Sequence, residues 1–113
     1  MEFACSIERL DDRVIIVPEG DIDADSTSSL RQILRQAVAT ADFKHLEVDL
    51  HKVSFLDSTG LGVFVATRKA ALARGVTFQL RDFGPMVRML LQVTHLEEIL
   101  TGKTVEEATP PPA

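Results

Sequence analysis

The chain has 113 residues, 12 basic and 17 acidic, for a net charge of −5, with 45% hydrophobic residues and neither Trp nor Tyr. That length suits one domain and leaves no room for two, while an acidic chain without those aromatics lacks the stacking platforms and basic stripe of a nucleic-acid binder. No apolar run nears the ~20 residues that cross a bilayer, residues 1–12 show no secretory signal pattern, and the single Cys5 excludes an internal disulfide and fits a reducing, cytoplasmic setting.

Phe3 to Arg9 and Arg13 to Val17 are predicted strands. The short Leu10-Asp11-Asp12 link pairs them as an antiparallel hairpin. Cys5 alternates with Phe3 and Ile7, which predicts a core thiol rather than a nucleophile. Pro18 is expected to end the second strand, and Gly20-Asp21-Ile22-Asp23 reads as a polar loop. Asp25 or Ser26 then caps a helix whose stripe is Leu30, Ile33, Leu34, Ala37, Val38 and Ala41.

The central stretch is LEVDLHKVSFLDSTGLG, residues 46–62. Leu46, Val48 and Leu50 alternate with Glu47 and Asp49, the period of a half-buried strand. A second apolar run, Val53, Phe55 and Leu56, stops at Asp57-Ser58-Thr59-Gly60, and from Leu61 to Leu72 the pattern is helical. The plain role for Ser58 is an N-cap, its side-chain oxygen accepting from a first-turn N–H. Gly60 and Gly62 each cost about 1 kcal/mol against Ala in a helix interior, so both together point to close approach of another backbone. A helix N-terminus also favours an anion, so a phosphate on Ser58 would be held by its own helix.

On a helical wheel Leu61, Phe64, Val65, Ala71 and Leu72 share a face, with Arg68 in its middle, its stem packed and its guanidinium in water. Arg68 lies ten helical residues from Ser58, about 15 Å, too far to bind a phosphate there. Val63 and Ala66 fall on the opposite, solvent-facing side. Gly75 stops the helix, Val76, Phe78 and Leu80 form a further strand, and Pro85 opens a third helix. Leu96, Ile99 and Leu100 form a last apolar patch, a short strand or turn, and the tail 101–113 is expected to be largely disordered. The expectation is an α/β domain over 1–100, with a mixed four- to five-stranded sheet and three to four helices.

FLDSTGLGVFV resembles the signature of anti-sigma factor antagonists, bacterial members of the STAS (sulfate transporter and anti-sigma factor antagonist) domain family. Gly20-Asp21-Ile22-Asp23 is similar to the family's Gly-Glu-(Ile/Leu)-Asp, and the likeness runs from about Phe3 to Leu100. It implies that Ser58 is the serine phosphorylated by a partner kinase that is itself the anti-sigma factor. It further implies that Asp21, Asp23, Asp57, Ser58, Thr59, Gly60, Gly62 and Val63 make the partner surface. The implied partners are an anti-sigma factor with a kinase-type ATP-binding domain and a serine phosphatase, and the chain itself is a substrate rather than an enzyme. His95 stands where the family commonly has Gly. Two rivals are a STAS module that is never phosphorylated, acting as a scaffold or soluble transporter subunit, and a small enzyme using Asp57 and Ser58.

Other chemistry is set aside. His45, His51 and His95 have no metal-ligand spacing among themselves or with Cys5. Gly102-Lys103-Thr104 echoes a phosphate-binding loop, but Glu97 occupies the position that needs Gly. Ser58 lacks the Gly-x-Ser-x-Gly elbow of a hydrolase. Turn and capping roles account for Asp21, Asp23 and Asp57 without a cation, and no cofactor or metal is expected.

Overall fold

The structure, a computed structural model, describes residues 3–101. The expectation for the tail lies, past Thr101, outside the described residues. A hairpin of β1 (Ala4–Leu10) and β2 (Arg13–Glu19) comes first, then α1 (Ala24–Ala39), β3 (His45–Asp49), α2 (Ser58–Ala73), β4 (Thr77–Arg81), α3 (Pro85–Val93) and α4 (Glu97–Leu100). The four strands lie side by side in chain order, β1 antiparallel to β2 and the rest parallel. This is the α/β fold with a mixed sheet and N-terminal hairpin that the alternation of elements predicts.

One core joins the sheet to its helices. Val14, Ile16, Leu46, Val48, Phe78 and Leu80 project from the strands into the same buried cluster as Leu30 and Leu34 of α1, Phe64 of α2 and Leu91 of α3. Cys5 packs against this cluster, half-buried, and desolvation pushes its thiol up to about 11, which leaves it a poor nucleophile at neutral pH.

Several local expectations are corrected. Pro18 does not end β2, which runs on to Glu19. Pairing with β3 has already stopped at Ile16, so the missing N–H of Pro18 costs no ladder bond. The last apolar patch is a short helix, α4, and not a strand. In α2, Val65 and Leu72 are exposed, the latter at 46%, whereas Val63 is buried at 4%. This helix packs against both α1 and β4, so it buries a broad arc of Leu61, Val63, Phe64, Thr67 and Ala71. Apolar residues all round a helix cannot tell a wheel which arc is inside.

Both α2 and α3 end in the same reciprocal motif. The Gly75 N–H donates to Leu72 O at 3.0 Å and the Val76 N–H to Ala71 O at 2.9 Å. In α3 the His95 N–H donates to Gln92 O at 3.1 Å and the Leu96 N–H to Leu91 O at 2.9 Å. His95 holds the left-handed conformation at φ 62° that Gly75 holds at φ 77°. The exit of α3 is therefore a glycine-type stop made by histidine.

Glu47 and Asp49 point to the sheet face away from the core, yet each is only 7% exposed. Glu47 is clamped by Arg81 at 2.5 Å and Arg13 at 3.2 Å. Burial pushes the Asp49 carboxyl up, but bonds from the His51 backbone N–H and ring outweigh this and hold it below the usual carboxylate value.

Candidate functional site

Three parallel strands finish at one edge of the sheet, and the loops leaving β2 and β3 are zipped together there. The Gly20 N–H donates to Lys52 O at 3.2 Å, the Ile22 N–H to Phe55 O at 2.8 Å, and the Asp57 N–H to Ile22 O at 3.1 Å. Ile22 and Leu56 form an isolated parallel bridge, and both side chains are buried. The loop from Gly20 to Asp23 is thus anchored through Ile22 rather than polar throughout. The zipper brings Asp21 and Asp23 to the same edge as Asp57, Ser58 and Thr59.

Asp23 caps α1, correcting the assignment of Asp25 or Ser26. Its Oδ1 accepts from the Asp25 N–H at 3.0 Å and the Ser26 N–H at 3.2 Å, and the Asp23 N–H donates back to Ser26 Oγ at 3.0 Å. That is a closed capping box with Ser at N3. Ser26 Oγ also donates to Asp21 O at 2.8 Å, and Ser54 Oγ donates to Asp21 Oδ1 at 3.1 Å.

Asp57 caps α2, correcting the plain role given to Ser58. Asp57 Oδ1 accepts from the Thr59 N–H at 3.0 Å, the Gly60 N–H at 3.1 Å and Thr59 Oγ1 at 2.5 Å. The Thr59 hydroxyl foremost, and the two backbone N–H groups besides, hold the Asp57 carboxyl below its ordinary value. Thr59 Oγ1 also lies 3.3 Å from Thr27 Oγ1, which joins the first turns of the two helices. Ser58 is the first residue of α2 and exposed, and among the described residues nothing engages its hydroxyl.

The two glycines have different reasons. A Cβ on Gly60 would stand 2.5 Å from Ile22 Cγ2 and 2.6 Å from Leu56 Cδ1, so α2 can close on the zipped loops only without a side chain there. The close neighbours are side chains, not the backbone that the sequence implied. A Cβ on Gly62 meets nothing within 4 Å. Gly62 is exposed beside Ser58, whereas Val63, placed by sequence on the solvent-facing side, is packed inside. Sequence reasoning missed Ile22 and Leu56 as the residues that set this geometry. Their signal was the apolar Ile22 inside a polar loop motif and Leu56 at the end of an apolar run that stops at Asp57.

Among the described residues no three His, Cys, Asp or Glu side chains gather in a metal-holding arrangement, and no helix is long and apolar enough to cross a membrane. The arrangement offers an exposed hydroxyl at a helix N-terminus, on the same sheet edge as the carboxylates of Asp21, Asp23 and Asp57 and beside two loops bonded to each other.

Comparison with known proteins agrees with this geometry. The STAS domain family profile matches residues 4–108. The anti-sigma-B factor antagonist of Listeria monocytogenes is 33% identical over 99 residues, 88% of this chain and 86% of that protein. The Bacillus subtilis anti-sigma-B factor antagonist is 37% identical over 82 residues, 72% of each chain. The crystal structure of an anti-sigma factor antagonist from Mycobacterium paratuberculosis superposes with a TM-score of 0.79 at 27% identity, covering 88% of this chain and 83% of that one. With both motifs on one edge of the same fold, the chain belongs to the STAS domain family, among its anti-sigma factor antagonists.

Proposed function

We propose that this protein is a phosphorylation-controlled antagonist that, unphosphorylated, binds a cytoplasmic anti-sigma factor of the serine-kinase type and so frees a sigma factor. The anti-sigma factor phosphorylates Ser58, which ends the complex, and a serine phosphatase restores it. The chain acts as ligand and kinase substrate, and catalyses nothing itself. The observation that carries this reading is the unengaged Ser58 hydroxyl, exposed at the first position of α2, next to a Thr59 hydroxyl committed to Asp57.

The switch is electrostatic. A phosphate adds about −1.5 to −2 charge, which the N-terminus of α2 tolerates. At a docking surface that already carries Asp21, Asp23 and Asp57, the added charge is repelled by its neighbours and resists desolvation. Gly62 leaves room for the partner to approach Ser58 along the helix.

Incubation with the purified anti-sigma kinase of the same organism and Mg-ATP, followed by phosphopeptide mapping, tests the reading. Label is expected on Ser58 and lost in Ser58→Ala. Label on Thr59, persisting in Ser58→Ala, would overturn it.

A further inference from the structure

Helices α1 and α2 start at the acidic edge and run from it side by side. Thr27 and Thr59 join their first turns, while Leu34 and Val63 line a groove further along. Acidic residues surround the start, at Asp21, Asp23, Asp25 and Asp57, but beyond Asp25 neither helix contains an Asp or Glu. The remaining charges on the two helices are Arg31, Arg35, Arg68 and Lys69, all basic in a chain whose net charge is −5. Arg9, Arg13, Arg81 and Arg88 are spent on ion pairs, but among the described residues Arg31 and Arg35 have no carboxylate partner.

Arg31 and Arg35 rim that α1–α2 groove of about 330 Å³. Its α2 wall includes Ala66 and Ala70, and no carboxylate lines it. Arg31 lies eight positions along α1 from its cap Asp23, so the groove's cationic rim begins about 12 Å from the Ser58 edge. Each requirement points to the same occupant. The apolar walls take a side chain, the rim takes a carboxylate, and the strongly acidic remainder of the protein repels an extended polyanion such as nucleic acid or an anionic membrane.

We propose that the α1–α2 groove is a second docking surface, which receives an acidic, partly apolar segment of the anti-sigma partner and sets how that partner lies over Ser58. It rests on the function proposed above, since the partner is the same molecule. A surface acidic at one end and basic at the other admits a partner of opposite polarity in one direction only, and fixes register as well as affinity.

The test is the affinity of the purified anti-sigma factor for wild type, Arg31→Glu/Arg35→Glu and Lys44→Glu. Lys44 is exposed and lies beside the amino end of β3, at the far edge of the sheet. The double variant is expected to bind at least tenfold more weakly, with a shallower salt dependence than wild type, while Lys44→Glu stays within twofold. Arg31 and Arg35 are exposed, so thermal melts should be unchanged. Wild-type binding with an equally good double variant would overturn the groove and leave the antagonist reading standing. Lys44→Glu changes the net charge by −2 against −4 for the double variant. A loss in Lys44→Glu of half the double variant's or more, in free energy, would therefore reduce the effect to net charge and overturn it too. A wild-type protein that binds no anti-sigma factor would overturn both.

Discussion

The N-termini of α1 and α2 sit side by side and are capped by the same residue type, yet one is closed and the other open. At α1, Asp23 and Ser26 bond to each other reciprocally, and Ser26 is almost fully buried. At α2 the residue equivalent to Ser26 is Gly60, which has no side chain to fold back. The cap is therefore one-sided, and the neighbouring Ser58 is left in solvent. One helix start is built to hold a loop in place, the other to present a hydroxyl. The difference rests on which residue occupies the third helical position, and Ile22 and Leu56 dictate that choice by filling the space a Cβ would need.

The strongest way to break the contrast is Gly60→Ala. Helix propensity favours the change by about 1 kcal/mol. The new methyl nevertheless meets the stiff, buried side chain of Ile22, and overpacking of this kind costs about 1–3 kcal/mol. Chemical denaturation should show a net loss of stability. Gly62→Ala, facing open space, should show a gain of up to about 1 kcal/mol in the same assay. Equal responses at the two positions would mean that Gly60 is not sterically required.

Placing a charge at the open end comes next. Ser58→Asp should bind the anti-sigma factor at least tenfold more weakly, at least about 1.4 kcal/mol, and melt like wild type. Ser58→Ala should bind normally and lose little stability, because Asp57 rather than Ser58 makes the cap. Calorimetric titration of the three proteins decides this, and three equal affinities would place Ser58 outside the interface.

At the closed end, Asp23→Ala should lose ~1 kcal/mol, the usual worth of a side-chain cap. Asp23→Asn keeps a cap of equal quality and removes only the charge. It should therefore melt like wild type, and any loss of anti-sigma affinity then reports on the carboxylate. The structure thus gives Asp23 a capping role, which the sequence had offered beside the partner-recognition role implied by the resemblance. An Asp23→Ala protein as stable as wild type would mean that the capping box holds nothing.

The smallest effect expected is on pH dependence. The Asp57 carboxyl titrates lower in the folded chain than in the unfolded one. Its contribution to stability is fully present above the unfolded value of about 3.9 and fades as pH falls through the lowered folded value. Carboxyl NMR should find the Asp57 midpoint below that of an unstructured Asp, and Thr59→Ala should raise it.

Much of this protein could be read from its residues in order. The period of Leu46, Val48 and Leu50 marks a strand, the stripe of Leu30, Leu34 and Val38 marks α1, and Gly75 marks the end of α2, because each signal is local to the backbone that carries it. Ser58 and the acids of its edge, Asp21, Asp23 and Asp57, stood out for the same reason, as short motifs at strand-to-helix junctions. Only tertiary structure decided which side chain caps and which is free, since Ser58 and Asp57 differ by a single position in an otherwise equal competition for the same N–H groups. It alone buried Val63 and exposed Leu72, because the neighbours of α2 and not its own sequence choose the arc that faces inward. It alone explained Gly60, whose need for no side chain comes from Ile22, 38 residues earlier in the chain. Contacts between residues so far apart leave no period or motif behind, and appear only when the loops that carry them are closed on one another.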